Sequence, residues 1–311
     1  MQMRKLGTTN LDIAPLVLGG NVFGWTADKE TSFSLLDAFL EAGFNAIDTA
    51  DVYSRFVPGH KGGESEIILG EWMKSRGNRD RVVLITKGGM AMGEGMEGLG
   101  RNYLRQACEA SLRRLQTDYI DVYLSHRADP KVPIEETLEL FQELIDGGKV
   151  RHTGCSNYSA EQLSAALAAS GAGRASYQVL QPEYNLLERK GFEGALDGIC
   201  QAQGVGVITY FSLAAGFLTG KYRTREDLAG SARGRMTSKY LTSRGLELLA
   251  AIDKVARNHE ATPAQVSLAW LMSRRSVTAP IASATRLTQL REIMKSVELE
   301  LTPEDLRELE E

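Results

Sequence analysis

The feature that most constrains this chain is an alternation: short apolar runs and amphipathic helical patterns take turns from residue 16 almost to the C-terminus. The runs lie at 16–18, 46–47, 82–86, 120–124, 150–154, 177–180, 205–209 and 277–281. They are apolar throughout rather than alternating, as a strand covered on both faces requires. Parallel neighbours need crossovers of a dozen or more residues, usually helical, and the segments between the runs read that way. About eight strands of this kind is the number that closes a barrel. The predicted fold is therefore α/β, a single (β/α)8 TIM barrel spanning residues 1–311. A short N-terminal β-hairpin at 3–15 precedes it, and an extra helix follows the seventh strand.

The helices have recognisable ends. Phe33, Leu36, Phe39 and Leu40 share a face, with Asp28 as a cap before them and Gly43 as a stop after them. Leu138, Phe141, Leu144 and Ile145 form a second stripe, ended by Gly147 and Gly148. Thr262 and Pro263 supply an N-cap and a first-turn proline for a helix running through Leu268 and Leu271. No linker, repeat or low-complexity tract interrupts the pattern, so one domain suffices. At 311 residues, 43% hydrophobic and 24% charged, the chain can bury one large core.

An open doubly wound sheet would share the alternation, but its glycine-rich turn should follow the first strand directly. Only Gly19, Gly20 and Gly24 stand there, at the wrong spacing. Gly93, Gly95 and Gly98 do match G-x-G-x-x-G as text. They follow the third run at a distance, however, and Glu94 and Glu97 would face a pyrophosphate, so a flexible loop is the better reading. The stretch from Gly216 to Lys221 is one residue short of a P-loop and lacks the hydroxyl after the lysine that would bind Mg²⁺.

Charge and cysteines narrow the setting. A formal net charge of -4 offers no global basic field for nucleic acid or anionic membrane. Cys108, Cys155 and Cys200 are odd in number and far apart, and read as small apolar residues in a reducing compartment. The first ten residues lack a signal-peptide stretch and no run approaches ~20 apolar residues, so the expectation is a cytoplasmic protein without a membrane partner. The sequon at Asn157 then means nothing.

In a barrel of this type the active site gathers at the C-terminal ends of the strands. The second run is followed by Asp48 and Thr49, with Tyr53 beyond; the third by Lys87; the fourth by His126. Ser156 and Asn157 follow the fifth, Gln181 the sixth, Tyr210 the seventh, and Ser283 to Arg286 the eighth. Singly, an aspartate caps, a lysine snorkels and a histidine sits satisfied in a core. An acid, an ammonium, an imidazole and a phenol brought to one rim form a group that does chemistry.

A phenol titrates near ~10 and so has a proton to give at neutral pH. An adjacent ammonium lowers that value, and an aspartate behind the ammonium keeps it charged and oriented. Tyr53, Lys87 and Asp48 suit those roles. His126 would hydrogen-bond a substrate oxygen and select the carbonyl face. No metal is expected, because His60, His152 and His259 share no short ligand spacing with His126.

Gly43-Phe44-Asn45-Ala46-Ile47-Asp48-Thr49-Ala50 with Tyr53, Thr86-Lys87, Asp121 to His126, Gly148 to Arg151 and Gly154 to Asn157 occur in one order along the chain. Over nearly its whole length the chain resembles the aldo-keto reductase superfamily. The members it resembles lie outside the mammalian aldose reductase branch, and its phosphate loop is similar to that of potassium-channel β subunits and aflatoxin aldehyde reductases. The resemblance implies a catalytic tetrad of Asp48, Tyr53, Lys87 and His126, and an extended nicotinamide cofactor held without a Rossmann domain. Ser156, Asn157 and Gln181 would hold the carboxamide and Tyr210 would stack on the ring. Ser212, Leu213, Gly216 and Lys221 fall in the pyrophosphate loop. Ser283, Ala284, Thr285, Arg286, Gln289 and Glu292 fall where the family binds the 2'-phosphate and adenine. There a strand end feeds a helix N-terminus and a guanidinium can fork onto phosphate, which favours NADPH/NADP+ over NADH.

The chain departs from the family at two places. Ile293 follows Glu292 where an asparagine is common, and the segment 54–63 is longer than in compact members. Trp25, Phe56 and Arg127 are candidate substrate-pocket residues around that segment, whose alternative is a mobile surface loop. The resemblance implies an NADPH-dependent reductase of aldehydes or ketones acting on a small-molecule carbonyl. The same site run in reverse would be a sugar or alcohol dehydrogenase. A cofactor-sensing subunit of the potassium-channel β type is the third reading, against which stands a barrel pattern that starts almost at Met1.

Overall fold

The structure is a computed structural model and describes residues 1–310. Strands β1 (Arg4–Lys5) and β2 (Asp12–Ile13) form a small antiparallel hairpin. The barrel follows: β3 (Val17–Gly19), β4 (Ala46–Asp48), β5 (Val83–Gly88), β6 (Ile120–Ser125), β7 (Val150–Ser156), β8 (Val179–Gln181), β9 (Gly206–Thr209) and β10 (Val277–Ala282). Each pairs in parallel with its sequence neighbours, and β10 closes the ring by pairing with β9 (Ala279 opposite Ile208) and with β3 (Ile281 opposite Val17). This is a (β/α)8 barrel with the predicted hairpin in front of it.

Successive strand residues point to opposite faces, and this separates two cores. Val122, Leu124, Ile85, Val179, Ile208 and Ala279 fill the barrel interior. Tyr123, Trp72, Phe141, Tyr177 and Trp270 pack between strands and helices. Leu6 and Ile13 of the hairpin are fully buried against the interior set, so the hairpin stoppers the N-terminal end of the barrel. Its turn leaves no room for a side chain. Gly7 has φ +59°, and a Cβ there would stand 2.3 Å from Gly206 N and 2.6 Å from Gln178 O.

The helix signals locate real ends. Lys29–Glu41 begins where Asp28 accepts a bond from the Thr31 N–H at 2.9 Å, and Gly43 (φ +86°) lies just past its end. Leu138, Phe141 and Leu144 are buried on Ile134–Asp146, which closes at Gly147. Pro263–Met272 opens with a reciprocal capping box between Thr262 and Gln265. The predicted extra helix is present: Ser243–Asn258 precedes Pro263–Met272 in the connection from β9 to β10.

Strand ends differ from the sequence reading by one or two residues, and several differences share a cause. The apolar pattern stops where polar residues begin, yet Asp48, Lys87, Ser125, Ser156 and Gln181 all continue the ladder. The glycines at 93–98 form a tight turn closed by Met92 N–H to Met96 O at 2.8 Å. Cys108, Cys155 and Cys200 are buried free thiols, and burial raises all three, Cys108 and Cys200 to about 12. Among the described residues no helix is long and apolar enough to cross a membrane.

Candidate active site

The site is built around Lys87, the penultimate residue of β5, whose side chain is completely buried. Its Nζ donates to Asp48 Oδ1 and Oδ2 at 2.8 Å each, to the Thr49 carbonyl at 2.7 Å and to Tyr53 Oη at 3.0 Å. Three hydrogens shared among four acceptors leave the ammonium no freedom to turn. Asp48, the last residue of β4, also accepts from Gln181 Nε2 at 2.8 Å, while the Tyr53 hydroxyl reaches Asp48 Oδ2 at 3.4 Å. A buried charge that lost its partner would be strongly destabilising, so Asp48 and Lys87 hold each other in place.

Electrostatics correct one expectation. Lys87 was expected to lower the phenol, but the Tyr53 hydroxyl is pushed well above 10. The causes are burial first, then the charge and hydrogen bond of Asp48, and then the charge of Asp51. Part of the ring is exposed, yet its surroundings are dense enough for burial to lead. Burial also pushes Lys87 below its usual value, against the opposing pull of Asp48. The phenol therefore keeps its proton through neutral pH. His126 is pushed down to about 3 by burial, then by Lys87 and Arg127, and so is a neutral imidazole. Its ring stands 6.3 Å from that of Tyr53, edge to face, and its Nδ1 is buried without a partner.

A second chain of bonds runs round the rim from this centre. Ser156 Oγ donates to the Gln181 carbonyl at 2.8 Å. Asn157, in the left-handed region at φ +57°, donates through Nδ2 to the His126 carbonyl at 2.9 Å and to Ser156 Oγ at 3.1 Å. Its Oδ1 accepts the Tyr210 hydroxyl at 2.6 Å. The structure thus brings Gln181, Ser156, Asn157 and Tyr210 together beside the four residues of the centre.

After β9 the backbone turns left-handed four times, at Phe211 (φ +51°), Ala214 (φ +49°), Ala215 (φ +55°) and Gly216 (φ +98°). Non-glycine residues seldom adopt this conformation, and such runs of turned N–H groups make anion-binding concavities. The Lys221 ammonium would lie 3.9 Å from a Cβ placed on Gly216, so a cation overhangs the loop. Ser212 is buried and donates to the Thr209 carbonyl at 2.9 Å, while Leu213 caps the turn that follows.

At the end of β10, Ser283 bonds Asn21 Oδ1 at 2.5 Å, and Gln289 Oε1 accepts from both the N–H and the hydroxyl of Thr285 at 3.0 Å. Ala284 is buried, and Glu292 gives its carbonyl to Gln265 Nε2 at 2.9 Å. Arg286, at the N-cap of Leu287–Met294, is exposed and has no side-chain partner among the described residues. Ile293 is buried in the outer core, which explains how an apolar residue fits after Glu292: it faces inward.

Of the three pocket candidates, Trp25 and Phe56 meet edge to face at 4.8 Å, although Phe56 is 61% exposed. Arg127 is exposed and stands close enough to His126 to affect its titration. The segment 54–63 folds on itself through Val57 N–H to Ser54 O and His60 N–H to Val57 O, and Ser54 Oγ ties it to the Phe23 carbonyl at 2.9 Å. The sequence reading missed Arg233. Its guanidinium lies 5.5 Å over the Trp25 ring, and Nη2 is buried without a partner among the described residues. Arg223, Arg225 and Arg235 stand nearby in sequence, and nothing in the pattern singles out Arg233.

Comparison with known proteins identifies the family. The model of the aldo/keto reductase family matches residues 15–311. A probable voltage-gated potassium channel subunit beta of Arabidopsis thaliana is 33% identical over 100% of this chain and 96% of its own length. An uncharacterized oxidoreductase of Bacillus subtilis is 33% identical over 99% of this chain and 95% of its own. L-glyceraldehyde 3-phosphate reductase of Escherichia coli is 30% identical over 100% and 92%. With a closed eight-stranded barrel and an Asp–Lys–Tyr–His cluster at its strand ends, the chain belongs to the aldo/keto reductase family of oxidoreductases.

Proposed function

We propose that this protein is an NADPH-dependent reductase that converts an aldehyde or ketone to the alcohol, with Tyr53 as the proton donor. The observation that carries the reading is Lys87 Nζ, fixed by both Asp48 oxygens and the Thr49 carbonyl and set 3.0 Å from Tyr53 Oη.

The residues present suit the cofactor. The left-handed run at 211–216 under Lys221 and the exposed Arg286 supply N–H groups and cations for a pyrophosphate and a 2'-phosphate. Ser156, Asn157 and Gln181 offer amide and hydroxyl groups for a carboxamide, with Tyr210 alongside as the stacking ring. Ser212, Leu213 and Ser283 to Thr285, with Gln289 and Glu292, complete that cradle. When bound, the reduced nicotinamide supplies the hydride.

The chain's own groups handle the proton. His126, neutral, hydrogen-bonds the carbonyl oxygen and orients the substrate against Trp25 and Phe56. As negative charge develops on that oxygen, Tyr53 Oη gives up its proton. Lys87 Nζ stabilises the phenolate left behind, and Asp48, steadied by Gln181, keeps the ammonium charged.

The test is loss of reduced-cofactor absorbance with an activated aromatic aldehyde. Tyr53→Phe should cut kcat by about 100- to 10,000-fold, the usual worth of a positioned general acid, with little change in cofactor binding. Absence of turnover over a panel of aldehydes, sugars and α-dicarbonyls, or full activity in Tyr53→Phe, would defeat the proposal. Specificity constants in both directions, with both cofactors, decide between reductase and dehydrogenase. A second reading is a cofactor-sensing subunit of the potassium-channel β type; the likeness to a probable channel subunit beta motivates it, and copurification with a membrane protein in the absence of turnover would favour it.

A further inference from the structure

Asp51 is a buried carboxyl that neither the tetrad nor the cofactor cradle uses. It sits in the turn between β4 and Tyr53, pinned by its N–H to the Lys87 carbonyl at 3.2 Å, while the Tyr53 N–H closes the turn on Ala50 O at 3.3 Å. The residue is 1% exposed, and neither carboxyl oxygen has a hydrogen-bond partner of good geometry. The adjacent Val52 N–H is near enough only to soften its titration.

Several charged and titratable groups face it. Lys87 comes from β5, and Tyr53 from its own turn. The helix Glu64–Arg76 contributes Glu66, and the helix Arg101–Leu115 contributes Arg114 and Tyr103. Tyr123 comes from β6, and its hydroxyl is also buried and unpartnered. Most of these charges are matched. Asp48 pairs with Lys87, and Glu66 pairs with Arg114 Nε at 2.7 Å while accepting Thr86 Oγ1 at 2.7 Å. Asp51 is the carboxyl left over, and a buried carboxylate without partners is costly.

We propose that Asp51 is a positioning residue for the Tyr53 proton: a carboxyl without a partner of its own, set on the same turn, whose ionisation opposes formation of the phenolate. Burial, and after it the charge of Glu66, pushes Asp51 up to about 8, against Arg114, the Val52 N–H and Lys87. Reciprocally, an ionised Asp51 is among the groups that raise Tyr53. Below that value Asp51 is neutral and the buried charges balance. Above it the proton has left to solvent, and an extra negative charge stands beside the phenol.

The inference rests on the proposed role of Tyr53, and its test separates the two. With carbon-13-labelled aspartate, infrared spectra of the protein alone should show the carbonyl stretch of a protonated carboxyl at neutral pH. That band should fade as pH rises through about 8, and it should be missing from Asp51→Asn. In alcohol oxidation Tyr53 must act as a base, so the rate rises with pH as the phenolate forms. Removing the charge with Asp51→Asn should move that rise to lower pH by about one unit. A merely structural residue would lower the rate without moving the profile. No protonated-carboxyl band at neutral pH, or an unshifted profile, overturns the inference. If Asp51→Asn fails to fold, Asp51→Ser serves in its place for both the missing band and the shifted profile. If Tyr53→Phe keeps its rate, the proposed function fails, and the persisting band shows that it failed at Tyr53 rather than at Asp51.

Discussion

His126 shows how a single side chain couples the site to stability. It titrates near 3 when folded but near ~6.5 when exposed, so between those values the unfolded chain binds more protons. The stability it contributes is complete above the upper value and is lost as pH falls through the window. Melting temperatures measured from pH 7 down to pH 4 should therefore fall more steeply for the wild type than for His126→Gln. At this scale the sequence was informative about identity and less so about electrostatics. The places of Asp48, Tyr53, Lys87 and His126 after apolar runs single them out, and they do meet. The direction of the Tyr53 shift is opposite to the one its ammonium neighbour implies, because burial outweighs that neighbour and depends on how other segments pack over the site. Asp51 and Arg233 escaped notice for the same reason. Each looks like an ordinary loop residue until the structure shows a polar atom enclosed without a partner.

Among the elements, legibility followed local physics. The caps at Asp28 and Thr262 act within a single turn of helix, so residue type and spacing were enough to find them. Thr262→Ala should cost about 1 kcal/mol, read as a lower urea midpoint with an unchanged slope, because it opens the reciprocal box with Gln265. Strand ends were less legible. A run stops looking like a strand when its residues become polar, and Asp48, Lys87, Ser156 and Gln181, at or next to the ends of β4, β5, β7 and β8, are polar because they face the site. The left-handed turns at Phe211, Ala214 and Ala215 carry no glycine to announce them, so only the glycine at 216 was readable in advance.

For the whole molecule, the count of apolar runs anticipated a ring, but closure itself is a long-range event. It depends on Ile281 finding Val17 and on the Arg4 guanidinium reaching the carbonyls of Met272, Val277 and Thr278. A chain ending before Val277 would leave β3 and β9 as open edges and the interior apolar set uncovered. Such a truncation should lose the cooperative melting of the intact chain, as followed by circular dichroism and calorimetry.

The stopper at Gly7 carries this further. Leu6 can seat only once Gln178 and Gly206 are in place beneath the turn, and the first strand of the ring is finished only by the last. During synthesis the hairpin must therefore wait, unsatisfied, until Gln178 and Gly206 have left the ribosome, and whatever shelters nascent chains has this turn to guard through all the elongation between.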